Sequence, residues 1–425
     1  MNLQLKRNLR TRSLFATLLL LLGFTNTMVV TAADAWPQFF GPSGDGIVAH
    51  SNAPTTWNQD TNIAFRTELP GQGWSSPVVG DGIIYVSAAI AAKDAENEFD
   101  LSLLLINAGT GKVIKNVPLL RQKSKGARIH KKNTHASPTP ILDGDRIYVH
   151  FGYQGTVCVD YQGNILWKNQ ELFFKPVHGN GGTPALVGDR LIFTCDGAKD
   201  PKVVALDTSN GKIAWEVERP VDAKKKFSFC TPTAIQVDGK TQVIAPGSDC
   251  VLAINPSNGK TIWHLRYTGY SVVPKPVFHQ GRLFLSTGFD SAVMLSIDPT
   301  GTGDVTDSHL VWSMKKNVPL TPSILAHDGL IYTISDNGIA MCVESESGKV
   351  VYQKRIGGNF SSSPLLINGN LYFTDEGGKT TVAKAGREFT ELAENELGER
   401  TLATMAVDSD ALIMRTEKAI YRIAK

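Results

Sequence analysis

Short apolar runs separated by turn residues recur along most of this chain. The segment "KIAWEVE" (Lys212–Glu218) alternates apolar and charged residues around a tryptophan and follows an Asn-Gly turn, which is typical of a half-buried β-strand. Close copies are "NILWKNQ", "KTIWHLR" and "HLVWSMK", and the four tryptophans are spaced 48, 48 and 49 residues apart. The aromatic residues at this repeated position are Phe65, Trp167, Trp215, Trp263, Trp312 and Tyr352.

A second motif precedes each copy. It is a cluster of small residues ending in proline, then two apolar runs around a tight turn, as in "SSPVVGDGIIYV" (Ser75–Val86) and "GTPALVGDRLIF" (Gly182–Phe193). A weaker eighth copy is "TMAVDSDALIM" (Thr404–Met414). Each unit then holds four short strands, and four-stranded repeats of about 45 residues are typical of propeller blades. We therefore predict an all-β fold, an eight-bladed β-propeller of four-stranded antiparallel blades whose repeated aromatics pack between neighbouring sheets.

The two ends of the chain predict how this ring closes. The segment "NIAFRTEL" (Asn62–Leu69) is an outer strand with no blade before it, and the last repeat stops after "KAIYRIA" (Lys418–Ala424) without an outer strand. Pairing the N- and C-terminal strands completes the eighth blade and removes a free sheet edge. Residues 34–425 are thus predicted to form one propeller domain.

Loops rich in glycine, aromatic and polar residues are predicted to gather on one rim of the ring. Strands alternate in direction, so the loops between blades and the loops between second and third strands share a rim, while the other rim carries simple turns. Loops that converge on one channel mouth favour a binding site. The alternative is that these aspartates, asparagines and glycines only form turns. The candidate binding residues are Trp74, His135, His150, His178, Tyr270, Asp290, Asp336, Asn337, Asn359 and Arg400.

Two further features of this rim have a functional and a structural interpretation. Three of the candidates are histidines, which can support metal or proton chemistry, but their spacing identifies no partner ligands, and packing or polar roles explain them equally simply. The basic stretches Lys123–Lys132 and Lys224–Lys226 are counted as adjacent inter-blade positions. They favour an anionic ligand or partner, although charge runs are usually solvated loops.

The N-terminus has the features of a secretory signal peptide. Four basic residues precede the apolar run Leu14–Phe24, and small residues near Ala32–Ala35 offer a cleavage site, so residues 1–33 are assigned to the signal. An uncleaved anchor is the alternative. Cleavage changes the formal charge from +3 to about −1, which gives no long-range attraction to nucleic acid. We expect an exported protein of the periplasm or exterior, monomeric and without a transmembrane helix.

The cysteines do not form a recognisable metal or redox motif. All five are widely separated, without CxxC spacing, and are predicted to be buried thiols. One disulfide, between Cys195 and Cys230, is the alternative in an oxidising compartment.

The repeats, best seen in "LDTSNGKIAW" and "INPSNGKTIW", resemble the PQQ-like (pyrroloquinoline quinone) β-propeller repeat. This repeat occurs in quinoprotein dehydrogenases and in a scaffold protein of the bacterial outer-membrane barrel-assembly machinery. The segments "WPQFFGPSGDG", "STGFD" and "GGNFSSSP" are also similar to exported bacterial PQQ-binding-like repeat proteins. The resemblance covers Trp36–Ile423. It implies the fold strongly and the function weakly.

What the resemblance implies about function divides into three hypotheses. Quinoprotein dehydrogenases hold PQQ with an adjacent cysteine pair and a calcium site, and this chain has no adjacent cysteines. The leading hypothesis is therefore a non-catalytic propeller, with neither cofactor nor metal, that binds a protein partner or extracytoplasmic ligand through the loop-rich rim. A PQQ- and calcium-dependent oxidoreductase is the first alternative. The second is a carbohydrate-binding propeller that uses Trp74, Phe229, Tyr270 and Phe360.

Overall fold

Eight four-stranded antiparallel sheets, arranged as the blades of a propeller, carry most of the regular structure. The coordinates are a computed structural model that describes residues 36–123 and 129–425. The predicted signal peptide lies outside the described residues. No helix within the described ranges is both long and apolar enough to cross a membrane.

The strands follow one another in the order that the repeats predict. Two strands precede the first blade, β1 (Ile47–Val48) and β2 (Ile63–Glu68). Blades 1 and 2 comprise β3 (Val78–Gly80), β4 (Ile83–Ala91), β5 (Phe99–Asn107), β6 (Val113–Gln122), β7 (Ile141–Asp143), β8 (Arg146–His150), β9 (Thr156–Asp160) and β10 (Ile165–Asn169), with a 3-10 turn at Gly152–Gln154. Blades 3 and 4 comprise β11 (Ala185–Val187), β12 (Arg190–Cys195), β13 (Lys202–Asp207), β14 (Ile213–Glu218), β15 (Thr233–Val237), β16 (Lys240–Gly247), β17 (Cys250–Ile254) and β18 (Thr261–Arg266).

The second half of the ring repeats this plan with one added strand. Blades 5 and 6 comprise β19 (Val277–His279), β20 (Arg282–Ser286), β21 (Met294–Ile297), β22 (Gly303–Asp304), β23 (Leu310–Met314), β24 (Leu325–His327), β25 (Leu330–Ile334), β26 (Ile339–Glu344) and β27 (Val350–Arg355). Blades 7 and 8 comprise β28 (Leu365–Ile367), β29 (Asn370–Thr374), β30 (Lys379–Lys384), β31 (Thr390–Glu396), β32 (Ala406–Asp408), β33 (Ala411–Arg415) and β34 (Ala419–Ile423). The added strand β22 leaves blade 5 and pairs in parallel with β18, the outer strand of blade 4.

Position within a blade decides how each strand is patterned. Middle strands such as β17 and β25 are buried at every residue, because neighbouring blades cover both faces of the sheet. Such strands are expected to be apolar throughout. Outer strands such as β14 alternate between exposed and half-buried residues. The alternation in "KIAWEVE" therefore marks the outer edge of a blade.

The repeated tryptophans join one blade to the next, as predicted. Trp167 of blade 2 donates its indole N–H to the carbonyl oxygen of Thr208 in blade 3, at 2.9 Å. Trp215 of blade 3 makes the same bond to Pro256 in blade 4, at 2.8 Å. In each case the ring lies over a glycine of the neighbouring turn. A Cβ added to Gly211 would lie 2.3 Å from the Trp167 ring.

The ring closes by pairing the two ends of the propeller, which confirms the prediction. Strand β2 pairs antiparallel with β34, and Phe65 lies opposite Arg422 while Thr67 lies opposite Ile420. The eighth blade thus takes three strands from the C-terminus and its outer strand from near the N-terminus. This pairing occupies the backbone N–H and C=O groups of a sheet edge that could otherwise bind a strand of another chain.

The segment Trp36–Val48 crosses the central channel at the rim of simple turns. Trp36 exchanges two backbone hydrogen bonds with Val79 of blade 1. The Gly44 carbonyl accepts a bond from Lys275 of blade 5, and β1 pairs in parallel with β28 of blade 7. Blades 1 and 5 face each other in an eight-membered ring, so the segment spans the channel and forms its base.

Candidate functional site

The loop-rich rim forms as predicted, because loops of the two kinds bind each other there. Backbone N–H groups in the loops between second and third strands donate to carbonyl groups of the inter-blade loops. Asp249 donates to Gly269 at 2.7 Å, and Glu376 donates to Asn359 at 2.7 Å. This bonding fixes the two sets of loops around one mouth.

A cavity of about 760 Å³ lies inside that mouth. Phe39 from the crossing segment contributes to its lining. A cavity of this size is within the range of small-molecule sites in proteins. Its lining residues are Phe39, Trp74, Ser76, His130, Lys132, Asn133, Ser137, Thr139, His178, Gly181, Thr183, Lys225, Phe227, Phe229, Thr231, Tyr270, Ser271, Val273, Phe289, Leu320, Thr321, Ser323, Asp336, Ser361, Ser363, Leu402 and Thr404.

A ring of serine and threonine residues surrounds the narrow part of this cavity, one from the start of each blade except blade 5. The backbone N–H of one ring residue donates to the hydroxyl oxygen of the next blade's ring residue, as in Ser76 to Thr139 at 3.1 Å and Thr139 to Thr183 at 2.9 Å. The remaining bonds of this kind are Thr183 to Thr231, Lys275 to Ser323, Ser323 to Ser363 and Ser363 to Thr404, at 2.9 to 3.0 Å. Five of the seven hydroxyl residues directly precede a proline, so the small-residue–proline motif supplies most of a hydroxyl ring that links the blades.

Blade 5 breaks the hydroxyl ring with a lysine. Lys275 is 8% exposed, and its ammonium donates to the carbonyl oxygen of Gly44 at 2.6 Å. Burial lowers the pKa of Lys275 to about 8, and the nearby Asp45 carboxylate opposes that decrease. This lysine points to the crossing segment and not into the cavity.

Aromatic rings cover one side of the mouth in a continuous arc. The His178 ring centroid lies 5.6 Å from that of His130 and 5.2 Å from that of Phe227. The Phe227 ring continues the row to Tyr270 at 5.6 Å, and Tyr270 contacts Phe289 at 6.1 Å. Phe229 packs beside this row. We call these residues the aromatic arc: His130, His178, Phe227, Phe229, Tyr270 and Phe289.

The other side of the mouth is polar and its charges are paired. Lys132 donates to Glu376 at 2.6 Å, and Ser361 donates to the same carboxylate oxygen at 2.6 Å. Burial acts to raise the pKa of Glu376, but these two hydrogen bonds outweigh it and the pKa is lowered. The guanidinium of Arg400 lies 5.3 Å from the centroid of the Trp74 ring, a cation–π contact.

Four of the ten predicted site residues line the cavity: Trp74, His178, Tyr270 and Asp336. The Asp336 carboxylate accepts backbone N–H groups of Leu320, at 2.6 Å, and Thr321, at 3.3 Å, so it fixes a loop.

Four more predicted residues lie at the rim around the cavity. Arg400 stacks on Trp74, and Asp290 accepts a hydrogen bond from the Tyr270 hydroxyl at 2.6 Å. Asn337 and Asn359 are exposed in turns. The side chain of Asn337 accepts a bond from Ser335, which is the turn-forming role named as the alternative.

The three predicted histidines belong to one rim, but the side chains of two of them do not line the cavity. His150 is buried between blades, with its ring centroid 4.3 Å from that of Phe193. His135 packs on Phe99 at 5.2 Å, away from the cavity lining. Only His178 reaches the mouth, where its neighbour is His130. Across the described ranges, no three His, Cys, Asp or Glu side chains are grouped so as to hold a metal ion.

Three smaller expectations also need correction. The basic stretches are not adjacent, because the inter-blade loop holding His178 lies between them, and residues 124–128 of the first stretch lie outside the described residues. Phe360 is 2% exposed and belongs to the core, so it cannot stack on a ligand. Cys195 and Cys230 are free buried thiols, as are the other three cysteines, which confirms the main prediction and not the disulfide.

Several cavity residues were missed by the sequence analysis. The members of the hydroxyl ring lie in the motif that begins each blade, where small residues before a strand indicate a turn and not a site. His130 and Lys132 lie in a basic loop, where charge alone does not distinguish them from their neighbours. The crossing segment could have been suspected from the clustered aromatics and glycines of "WPQFFGPSGDG", which contains a left-handed Phe40 (φ 68°) between turns.

The donor set of the cavity does not fit a calcium–PQQ site. Calcium takes six to eight oxygen ligands, largely carboxylates and amides. The lining offers one carboxylate, Asp336, already bound by two N–H groups, and one amide, Asn133. Neither the metal nor the disulfide-held cofactor therefore finds its usual ligands among these residues.

Comparison with known proteins points to one family. The family model described as outer membrane protein assembly factor BamB matches residues 105–308 and 302–422. The BamB of Moranella endobia (strain PCIT) is 24% identical over 296 residues, which cover 65% of this chain and 71% of that protein. BamB of Moraxella catarrhalis has a TM-score of 0.56 at 10% identity, over 85% of this chain and 99% of its own. A europium-containing methanol dehydrogenase has a TM-score of 0.66 at 10% identity, over 91% and 90%. These two structural likenesses concern the fold alone.

Proposed function

Because this chain belongs to the family of the outer membrane protein assembly factor BamB, we propose that it is a non-catalytic, exported propeller that binds protein partners through its loop-rich rim. Its place would be the periplasm, in the assembly of outer membrane proteins. The family match supports the class of function. The rim supports the location of the partner site.

The observation that carries the proposal is the aromatic and arginine content of one rim. Protein interfaces are enriched in aromatic residues and arginine, and these side chains supply most of the binding energy. Phe289 is 50% exposed at one end of the aromatic arc, and Phe173, in the loop between blades 2 and 3, is 81% exposed. Arg400 over Trp74 supplies a third such position. The opposite rim carries short turns such as Asp238-Gly239, together with the crossing segment.

The oxidoreductase alternative has less support from the cavity. Its chemistry belongs to the cofactor, and the protein must hold and orient it. The single carboxylate in the lining is committed to a loop.

Photo-cross-linking tests the partner site. A photoreactive amino acid is placed at Phe289 or Arg400, with Lys240 on the opposite rim as the matched control, and products from the envelope fraction are identified by mass spectrometry. We expect the same envelope proteins at both test positions and none at Lys240. Affinity should fall about tenfold or more in the double variant Phe289→Ala/Arg400→Ala. Equal cross-linking from both rims would refute the proposal, as would dye-linked alcohol oxidation by protein incubated with PQQ and calcium.

A further inference from the structure

Six hydroxyl groups in the cavity have protons that the described protein atoms do not use. Each accepts a backbone N–H from the preceding ring residue, and within residues 36–123 and 129–425 none donates to a protein acceptor. A hydroxyl group has one donor and two acceptor sites, so each can both donate and accept once more. These hydroxyl groups are those of Thr139, Thr183, Thr231, Ser323, Ser363 and Thr404. They form an array suited to a ligand whose own groups donate and accept.

The wall beside this array is aromatic, and its rings are inclined to one another, by 47° between Phe227 and Phe229 and by 81° between Phe227 and Tyr270. Phe227, Phe229 and Tyr270 of the aromatic arc line the same cavity, with ring centroids about 6 Å apart. Aromatic faces of this kind stack on flat ligands that expose C–H groups. The cavity thus combines a stacking wall with a hydroxyl-lined inner end.

The charges around the cavity compensate one another. Lys132 is paired with Glu376, and Lys225 lies 2.6 Å from the Tyr270 hydroxyl and 3.6 Å from Asp290. The Asp336 carboxylate is occupied by two backbone N–H groups. Among the cavity-lining residues that the structure describes, the charged ones are Lys132, Lys225 and Asp336, and each already has a partner, so removing a ligand's charge from water would be costly there.

We propose that this cavity is a binding site for a neutral carbohydrate. The apolar faces of the sugar rings pack on Phe227, Phe229 and Tyr270, and the sugar hydroxyls exchange hydrogen bonds with the ring of serines and threonines. The crossing segment forms the base, so the end of an oligosaccharide enters from the loop-rich rim. This inference does not depend on the partner site, and it is tested at Phe227 and Gly181, which are not varied in the cross-linking experiment.

Gly181 allows the cavity to be blocked without altering its walls. It lines the cavity and has no positive φ, and a Cβ added there meets its nearest atom, Cβ of Phe229, at 3.4 Å. The variant Gly181→Leu should therefore fold and fill part of the space. Phe227→Ala removes part of the wall instead, and Leu392→Ala is the control because Leu392 is an exposed apolar residue of strand β31, outside the cavity.

The probes are maltose, cellobiose and N,N′-diacetylchitobiose, measured by saturation-transfer NMR and titration calorimetry at millimolar concentration. We expect saturable binding of at least one sugar, weakened about tenfold or more by Phe227→Ala and by Gly181→Leu, and unchanged by Leu392→Ala. Circular dichroism and thermal melting confirm that each variant is folded. Absence of binding by all three sugars would overturn the proposal. Binding that survives both cavity variants would also overturn it, whatever the outcome of the cross-linking experiment.

Discussion

His150 is an imidazole that the fold keeps neutral. Its Nδ1 atom lies 2.8 Å from the Thr156 hydroxyl oxygen, and the residue is 3% exposed. Burial lowers the pKa of His150 to about 3 and that of His135 to about 4. Because each is neutral at pH 7 and enclosed by protein, these histidines stabilise contacts between loops and blades and are not available to a ligand.

The sign of the resulting pH dependence follows from proton uptake. An unfolded histidine binds its proton near pH 6.5, whereas folded His150 does so only near pH 3, so stability decreases as pH falls between these values. His150→Gln removes this contribution. We expect its free energy of unfolding, measured relative to that of wild type, to be about 3 kcal/mol larger at pH 4 than at pH 7.

Urea unfolding at both pH values measures that difference, and carboxylate effects cancel because both chains share them. The control is His50→Gln, in which the replaced imidazole is exposed. A constant difference between His150→Gln and wild type from pH 7 to pH 4 would contradict the argument.

Which rim histidine reaches the cavity could not be predicted from residue type. His150 ends strand β8 and His178 lies in a loop, and both are near the same mouth in the chain's topology. Whether a histidine side chain points into the channel or packs between two blades depends on the backbone conformation where its strand ends or its loop turns. That choice is made by contacts with Phe193 or Phe227, which lie in the next blade or loop.

At the scale of the strand and blade, the repeated aromatic and the repeated glycine act as a pair. Trp167, Trp215 and Trp312 each cover the glycine in the turn of the next blade: Gly211, Gly259 and Gly348. Each of these glycines has a positive φ, which disfavours a side chain, and lies directly under the tryptophan ring, which leaves no room for a Cβ atom. In the sequence the glycine of each pair is the second residue of an Asn-Gly or Ser-Gly dipeptide, 44 or 36 residues after the aromatic.

The two reasons for glycine can be separated experimentally. Gly211 and Gly239 have nearly equal φ, 73° and 72°, but a Cβ at Gly239 meets no atom within 4 Å. Gly239→Ala should cost about 1 to 2 kcal/mol for the left-handed backbone alone. Gly211→Ala should cost about 1 to 3 kcal/mol more, because its methyl group overlaps the Trp167 ring. Denaturant unfolding compares the two, and equal losses would mean that the tryptophan contact is not tight.

Periodicity explains why the blades were predictable and the crossing segment was not. A feature repeated eight times fixes strand type, strand order and ring closure, since each copy supports the others. Trp36–Val48 occurs once, and its bonds reach residues as distant as Lys275. A contact between single, non-repeated segments has no pattern along the chain to reveal it. The shape of the cavity could not be predicted for the same reason, because it depends on both the blades and the crossing segment.

At the scale of the whole molecule, the ring is held at its edge and at its axis. The pairing of β2 with β34 closes the circumference. The crossing segment bonds to blades 1, 5 and 7 across the channel, so it resists motion of opposite blades away from each other.

Lys275→Met tests the link at the axis. The change removes a buried ammonium and leaves the Gly44 carbonyl without its donor. Burial lowers the pKa of this lysine because its ammonium is removed from water. Methionine has no such desolvation penalty, so the melting temperature should stay the same or rise. Locally, loss of a charge-assisted hydrogen bond should speed amide exchange in Gly41–Gly46 by about tenfold or more.

Hydrogen-exchange mass spectrometry measures the exchange rate in Gly41–Gly46, and thermal melting measures the stability of the whole protein. Lys240→Met on the surface is the control and should change neither. The stability of wild type relative to Lys275→Met should increase between pH 8 and about 10.4, because there the unfolded chain binds more protons. Unchanged exchange in Gly41–Gly46 would show that the lysine does not hold the segment.

Eight similar blades around one axis make eight orientations of the crossing segment across the central channel nearly equivalent. Seven hub positions carry a hydroxyl and one carries an ammonium, so a single side chain breaks the pseudo-symmetry. Together with the Trp36–Val79 bonds and the pairing of β1 with β28, Lys275 fixes the crossing segment in one of these orientations. A molecule that enters the channel therefore meets one defined base instead of eight equivalent ones.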